Sequence, residues 1–262
     1  MTIKGVLRAW RARGERAALE RRRIPDSLWL ATLERYAFLN LRDELDAAEL
    51  RRLTSLFLDQ KEFTGAQGLH ISDEIAVTVA AQACLPVLRM GLQPYDSFIG
   101  IVIHPDRVWA RRSVEDEIGV VHEFDDEMLG EMIDGGPVML SWRDVQDGGE
   151  SDGRVINVVI HEFAHVLDRI DGQMDGVPPL PSAAECAHWM KVLMTEYERH
   201  CEEVDAGLDT LLDPYGAEAP EEFFAVASEH FFVAGAELYG GYPALYTLLR
   251  SYYRQNPGAA PE

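Results

Sequence analysis

The stretch Val155-Ile-Asn-Val-Val-Ile-His161-Glu162-Phe163-Ala164-His165-Val-Leu-Asp168 decides how the rest of the chain is read. Its apolar residues recur at helical spacing. On an α-helix, positions four apart lie on nearly the same face, so His161 and His165 can aim two imidazoles at one point. Glu162 sits one residue along and can reach a metal-bound water from the side. Zinc hydrolases need this set: neutral imidazoles as ligands, a carboxylate that takes a proton from water, and an open coordination position. Val158, Val159 and Ile160 precede the two histidines, and Phe163, Ala164, Val166 and Leu167 fill the gaps around them. A largely buried helix carrying three polar residues is therefore expected, and such burial is costly unless those residues are satisfied.

Working outward, a chain of 262 residues with 47% hydrophobic residues has enough apolar material for one large domain with a sizeable core. The formal net charge of −21 argues against direct nucleic-acid binding, which needs a basic surface. Three cysteines, Cys84, Cys186 and Cys201, are too few and too odd in number for a disulfide framework and fit a reducing compartment. No apolar segment follows the basic N-terminus as in a signal peptide, and no run reaches the roughly 18 apolar residues of a membrane span. A cytoplasmic protein is the expectation.

Three regions are distinguished by composition. Residues 1–23 form a basic arm, with Lys4, Arg8, Arg11, Arg13, Arg16 and Arg21–Arg23 set against Glu15 and Glu20, and with a short apolar face of Ile3, Val6, Leu7 and Trp10. Such an arm suits docking on the acidic body of the protein itself, or on an acidic partner or membrane surface. Residues 24–256 read as one domain, and residues 257–262 as a flexible tail.

Within the domain, Pro25 as first helical residue and the repeat Leu28, Trp29, Leu33, Tyr36 predict a helix, as do Leu50–Leu58. Ser72-Asp73-Glu74 is a helix start, leading to an Ala- and Val-rich helix over 75–88 that Pro86 kinks or ends. The period then changes. Residues 98–103, 118–124 and 137–142 predict strands, the last opened by a proline that an edge strand tolerates. Residues 147–153 read as a loop. A long helix is expected over 184–204, a turn over 212–216, a helix opened by Pro220 through Phe232, and an amphipathic helix over 242–253.

Two histidines do not hold a catalytic zinc, since three protein ligands are usual. One place for a third is Asp171, six residues after His165, although Asp168 stands where a glycine would ease the turn. The other is a glutamate from a distant helix, Glu222 or Glu229. These two are seven apart on one helix face, so one could bind metal while the other holds a ligand imidazole by its remaining nitrogen. Phe223, Phe224, Phe231 and Phe232 crowd that helix and argue against a solvated segment. Asp168, one helical step past His165, is a further candidate for holding an imidazole.

Several separated segments share one resemblance. They are Ala80-Ala-Gln-Ala-Cys84, Gly136-Pro-Val-Met-Leu-Ser-Trp142, His161-Glu-Phe-Ala-His-Val-Leu-Asp168, Asp213-Pro-Tyr215 and Pro220-Glu-Glu-Phe-Phe-Ala-Val-Ala-Ser-Glu-His-Phe-Phe232. In order and spacing the chain resembles the Mlc titration factor A family of zinc peptidases over nearly its whole length. The resemblance implies His161, His165 and Glu222 as ligands of one Zn2+ per chain, Glu162 as catalytic base and Tyr215 as a donor to the transition state. It implies an α+β, mainly helical zincin-like fold of gluzincin type with a small sheet, and aminopeptidase activity on a peptide substrate. It also implies a transcriptional repressor as partner, the family's best-known member binding the glucose repressor Mlc. A second reading is a repressor-sequestering protein in which peptidase activity is secondary. The segment from Gly130 to Gly136 departs from the family's usual Ser-Trp sequence.

Overall fold

The computed structural model describes residues 13–41, 43–106, 108–115, 121–128, 136–151 and 154–258. The first half runs α1 (residues 13–21), α2 (Asp26–Arg35), α3 (Glu44–Gln60), β1 (Glu62–Gly65), α4 (Asp73–Cys84), β2 (Gly100–His104), β3 (Val108–Glu115), β4 (Val121–Met128) and β5 (Val138–Ser141). The second runs α5 (Trp142–Asp147), β6 (Gly149–Ser151), β7 (Arg154–Ile156), α6 (Val158–Asp168), α7 (Ala183–Asp205), α8 (Pro220–Val233), α9 (Gly235–Gly241) and α10 (Pro243–Tyr253).

Helices dominate, around a small parallel sheet in the order β1-β2-β5. Parallel neighbours cannot be joined by a tight hairpin. Here α4 supplies the crossover from β1 to β2, and the β3–β4 hairpin lies between β2 and β5. Ile101 pairs with Val138 and Ile103 with Leu140, and all four side chains are buried, as the two-residue period of a strand requires. β5 lies at the edge of this sheet, where Pro137 just before it costs no ladder hydrogen bond.

Several boundaries differ from the sequence expectation. Pro25 caps α2 instead of opening it. Trp142 belongs to α5, because the Ser141 side chain accepts the Asp144 N–H and turns strand into helix. The strand expected over 118–124 is Val121–Met128, paired antiparallel with β3, which alternation alone does not pick out among charged residues. Residues expected as a loop over 147–153 include β6, hydrogen-bonded to β7. Val155 and Ile156 therefore belong to a strand, and the helix begins only after Asn157. The departure from the family pattern between Gly130 and Gly135, and arm residues 1–12, lie outside the described residues.

α6 is buried along its whole length, packed against α8, α4 and β5. Its lower face rests on an aromatic floor. The Phe163 ring centroid is 4.9 Å from Tyr95, 5.7 Å from Phe57 and 5.9 Å from Phe98. Full burial of one such ring contributes on the order of 1.5–3 kcal/mol, and edge-to-face pairs add about 0.5–1.5 kcal/mol each. Packing thus holds the histidine-bearing helix in place from below, leaving its polar edge toward α8.

Candidate metal centre

The centre is built where α6 meets α8. α6 starts at Asn157, whose side chain accepts the Ile160 N–H at 2.9 Å and so satisfies one of the free donors of the first turn. It stops in a 3-10 turn, Arg169–Asp171, closed by Gly172 at φ 90°, a left-handed conformation that glycine adopts without strain. α8 opens with Pro220 in its first turn, followed by Glu221 and Glu222, acids that complement the positive end of the helix dipole.

Across this contact three donor atoms converge. His161 Nε2 lies 3.1 Å from His165 Nε2 and 3.0 Å from Glu222 Oε2, and His165 Nε2 lies 3.3 Å from Glu222 Oε2. The face of a tetrahedron with metal–ligand bonds of 2.0–2.1 Å has edges of about 3.3 Å. The observed triangle matches that face closely, and two imidazoles and a carboxylate are a donor set that suits zinc. Among the described residues this is the one group of three or more such side chains close enough to hold an ion.

Glu229, two turns further along α8, is buried beside the triangle. Its Oε1 is 2.7 Å from His161 Nδ1, and its Oε2 accepts the backbone N–H of Asn157. An imidazole that donates from Nδ1 to a carboxylate is fixed in orientation and leaves Nε2 free as a ligand. Glu222 and Glu229 thus divide between the two nitrogens of one ring.

The electrostatics follow from this crowding. Burial works to lower the His161 pKa, but its hydrogen bonds to Glu222 and Glu229 outweigh burial and raise it well above the ordinary value. Burial lowers the His165 pKa. For Glu222, burial is opposed by hydrogen bonds from both imidazoles, and the carboxyl is held down at about 2. Glu162 is only 1% exposed, and neither carboxylate oxygen has a hydrogen-bond partner among the described residues. Burial, reinforced by Glu222 and Glu229, pushes its pKa well up. A buried acid without a hydrogen-bond partner is costly to fold, and such perturbed groups cluster at functional sites.

Tyr215 stands on a short 3-10 turn, Pro214–Ala217, with its ring centroid 5.9 Å from that of His161. The turn is held on several sides. Asp213 caps it by accepting the Tyr215 N–H at 3.0 Å, His200 Nε2 donates to the Asp213 carbonyl at 3.1 Å, and Tyr197 Oη donates to the Ala217 carbonyl at 3.1 Å. His200 is fully buried, and burial lowers its pKa, which keeps it neutral at pH 7.

The other candidates are placed elsewhere. Asp171 is exposed and accepts the Gln173 N–H, outside the triangle. Asp168 does not reach His165. It accepts the Gly176 N–H at 2.8 Å and anchors the loop after α6, and burial pushes its pKa up to about 7. Sequence reasoning passed over Asn157, Gln82 and His200. An Asn directly before an apolar helical run is an N-cap signal that would have found Asn157. Gln82 lies in the Ala80-Ala-Gln-Ala-Cys84 segment that carries the family resemblance, but nothing local assigns it a partner, and nothing local points to His200; their partners Asn157 and Asp213 lie on other elements.

Comparison with known proteins places the chain among metallo-peptidases. Residues 7–254 match the family described as glucose-regulated metallo-peptidase M90. An uncharacterised protein of Synechocystis is 37% identical over 233 residues, covering 87% of this chain and 84% of the relative. Mlc titration factor A of Pectobacterium atrosepticum is 35% identical over 232 residues, covering 87% and 86%. Mlc titration factor A of Yersinia pestis is 34% identical over 239 residues, covering 89% and 87%. No helix among the described residues is long and apolar enough to cross a membrane.

Proposed function

The chain belongs to the glucose-regulated metallo-peptidase M90 family, and from that premise we propose that it is a zinc-dependent aminopeptidase with a zincin-like, gluzincin-type site. One zinc per chain is held by His161, His165 and Glu222. The observation that carries this reading is the triangle of donor atoms at 3.0–3.3 Å, with an unpartnered buried carboxylate, Glu162, beside it.

Zinc held there would supply a Lewis acid, able to acidify water and to polarise a carbonyl. Glu162 takes the proton of the attacking water and passes it to the leaving amine. Burial, reinforced by Glu222 and Glu229, raises its proton affinity, which favours its holding the proton between the two transfers. Tyr215 donates its hydroxyl to the oxyanion that develops on the scissile carbonyl, where a preorganised donor contributes about 3 kcal/mol. Glu229 keeps the His161 ring in the tautomer that presents Nε2. β5, at the edge of the sheet, offers backbone groups to an extended peptide.

The relatives named Mlc titration factor A support a second role for this chain, the binding of a transcriptional repressor in the cytoplasm. In the alternative form of that reading, the chain sequesters the repressor and peptide hydrolysis is secondary. Both are tested together. Metal analysis, hydrolysis of amino-acid p-nitroanilides and cleavage of a peptide library are measured for the wild type and for Glu162→Gln, His161→Ala and Glu222→Ala. The expected outcome is one zinc in wild type and Glu162→Gln, none in the other two, and hydrolysis in wild type alone. Full hydrolysis by Glu162→Gln would sink the assignment of the base. Capture of the repressor Mlc by zinc-loaded Glu162→Gln, in the absence of any wild-type hydrolysis, favours the sequestering role.

A further inference from the structure

Behind the metal centre runs a chain of buried polar contacts that ends on His161. Asn157 uses each of its polar groups in a different direction. Its backbone N–H donates to Glu229 Oε2, and its backbone carbonyl accepts the His161 N–H at 3.0 Å. Its side-chain Oδ1 accepts the Ile160 N–H at 2.9 Å, and its Nδ2 donates to Gln82 Oε1 at 2.7 Å. Gln82, fully buried on α4, donates from Nε2 to the Thr78 carbonyl at 3.3 Å.

The direction of this chain is forced. Ile160 N–H is a donor only, so Asn157 must turn its oxygen to it and its amide nitrogen to α4. Gln82 must then present its oxygen to Asn157, and its own nitrogen finds an acceptor in the Thr78 carbonyl. Each amide has one allowed orientation. Through Asn157 the same lock sets the first turn of α6 and the N–H that steadies Glu229, whose other oxygen grips His161 Nδ1.

We propose that Gln82 is a positioning residue for the metal centre. It acts through Asn157, whose orientation it fixes, to aim Glu229 and hold His161 with Nε2 toward the ligand triangle. The inference rests on the reading of His161, His165 and Glu222 as the metal site. Without the Gln82 oxygen, the Asn157 amide N–H is left buried and unpaired. It can then swing out of its capping orientation, loosening Asn157 and with it the Glu229 carboxylate.

The test is zinc affinity by chelator competition on folded full-length protein for wild type, Gln82→Leu, Asn157→Ser and the double variant. Serine keeps an oxygen to cap Ile160 and has no amide that needs Gln82. Gln82→Leu alone is expected to weaken zinc binding about five- to tenfold, a smaller loss than the 10- to 100-fold typical of a group that holds a ligand directly. In the Asn157→Ser background the same Gln82→Leu change is expected to cost less than twofold. A residue that merely filled space would lower the melting temperature in both backgrounds and leave the affinity of the folded protein unchanged. Wild-type affinity in Gln82→Leu, or an equal loss in both backgrounds, would overturn the proposal. Should Gln82→Leu fail to fold, Gln82→Met, closer in length, is read by the same criteria. Wild-type protein that binds no zinc would refute the metal site itself, an outcome distinct from a bound zinc indifferent to Gln82.

Discussion

Replacing Glu229 with glutamine tests whether the geometry around His161 is functional. In the structure Glu229 offers an acceptor to each of two buried donors, the His161 Nδ1–H and the Asn157 N–H. Glutamine has nearly the same shape but only one acceptor, so one of the two donors must face an amide NH2. If the oxygen stays on Asn157, the NH2 points at His161 Nδ1. The ring then adopts the other tautomer, with its proton on Nε2, the atom the metal needs. If the oxygen stays on His161, the Asn157 N–H is left buried and unpaired, at a cost of about 1–3 kcal/mol. The metal-free protein can settle into the first arrangement, with His161 donating from Nε2 to Glu222, and loses only the proton affinity that Glu229 lends His161. The zinc-loaded protein cannot, and must accept the unpaired donor or the wrong tautomer. That further penalty falls on metal binding. A loss of roughly 10- to 100-fold in zinc affinity, about 1.4–2.7 kcal/mol, is expected. Chelator competition measures the affinity, and thermal melting in excess chelator measures the metal-free protein. An affinity within threefold of wild type would refute the reasoning, because it would mean that the Glu229 contact does not set the tautomer.

Other consequences are open to measurement. Phe163→Ala should destabilise the metal-free protein by about 3–5 kcal/mol in urea titrations, since it opens a cavity in the aromatic floor under α6; a loss under 1 kcal/mol would mean that the floor does not support the helix. Tyr215→Phe should lower kcat by about 10²- to 10³-fold with KM and zinc content nearly unchanged, as expected for a hydroxyl used only in the transition state; unchanged kcat would leave Tyr215 a packing residue. Asp168 binds its proton more tightly in the folded state, at about 7, than its ordinary value near 4. Its contribution to stability is therefore greatest below pH 4 and is lost as pH rises toward 7, by at most about 4 kcal/mol. Asp168→Asn cannot ionise and retains an acceptor for Gly176. Urea unfolding at pH 5.5 and 8 should show this part of the pH slope in wild type and not in the variant, and equal slopes would refute the raised proton affinity.

Much of this centre was legible because its chemistry is local. His161, Glu162 and His165 lie within five consecutive residues, and helical spacing alone aims the two imidazoles together. The Phe-rich run around Glu222 and Glu229 marked a buried helix with acids that needed partners. Residue spacing alone does not separate the two glutamates, because seven-residue spacing makes them equivalent on the helix; at the sequence level only the family resemblance points to Glu222. Which one lies against Nε2 and which against Nδ1 depends on how α8 crosses α6, a packing choice that no stretch of either helix specifies. Strands β6 and β7 were missed for a related reason: a three-residue strand has almost no periodicity of its own and exists by virtue of its partner.

The amino-acid order by itself determined the histidine pair, the acid beside it, the helical character of both site helices and the edge position that a proline allows for β5. It did so because those features follow from short-range backbone geometry. Only the tertiary structure brings Glu222, to which the family resemblance points, against both imidazoles while leaving Asp171 exposed, secures a loop with Asp168, and lets a glutamine on α4 reach the cap of α6. Those outcomes depend on atoms meeting at hydrogen-bond distance across three helices, and that distance is set by the packing of the whole core.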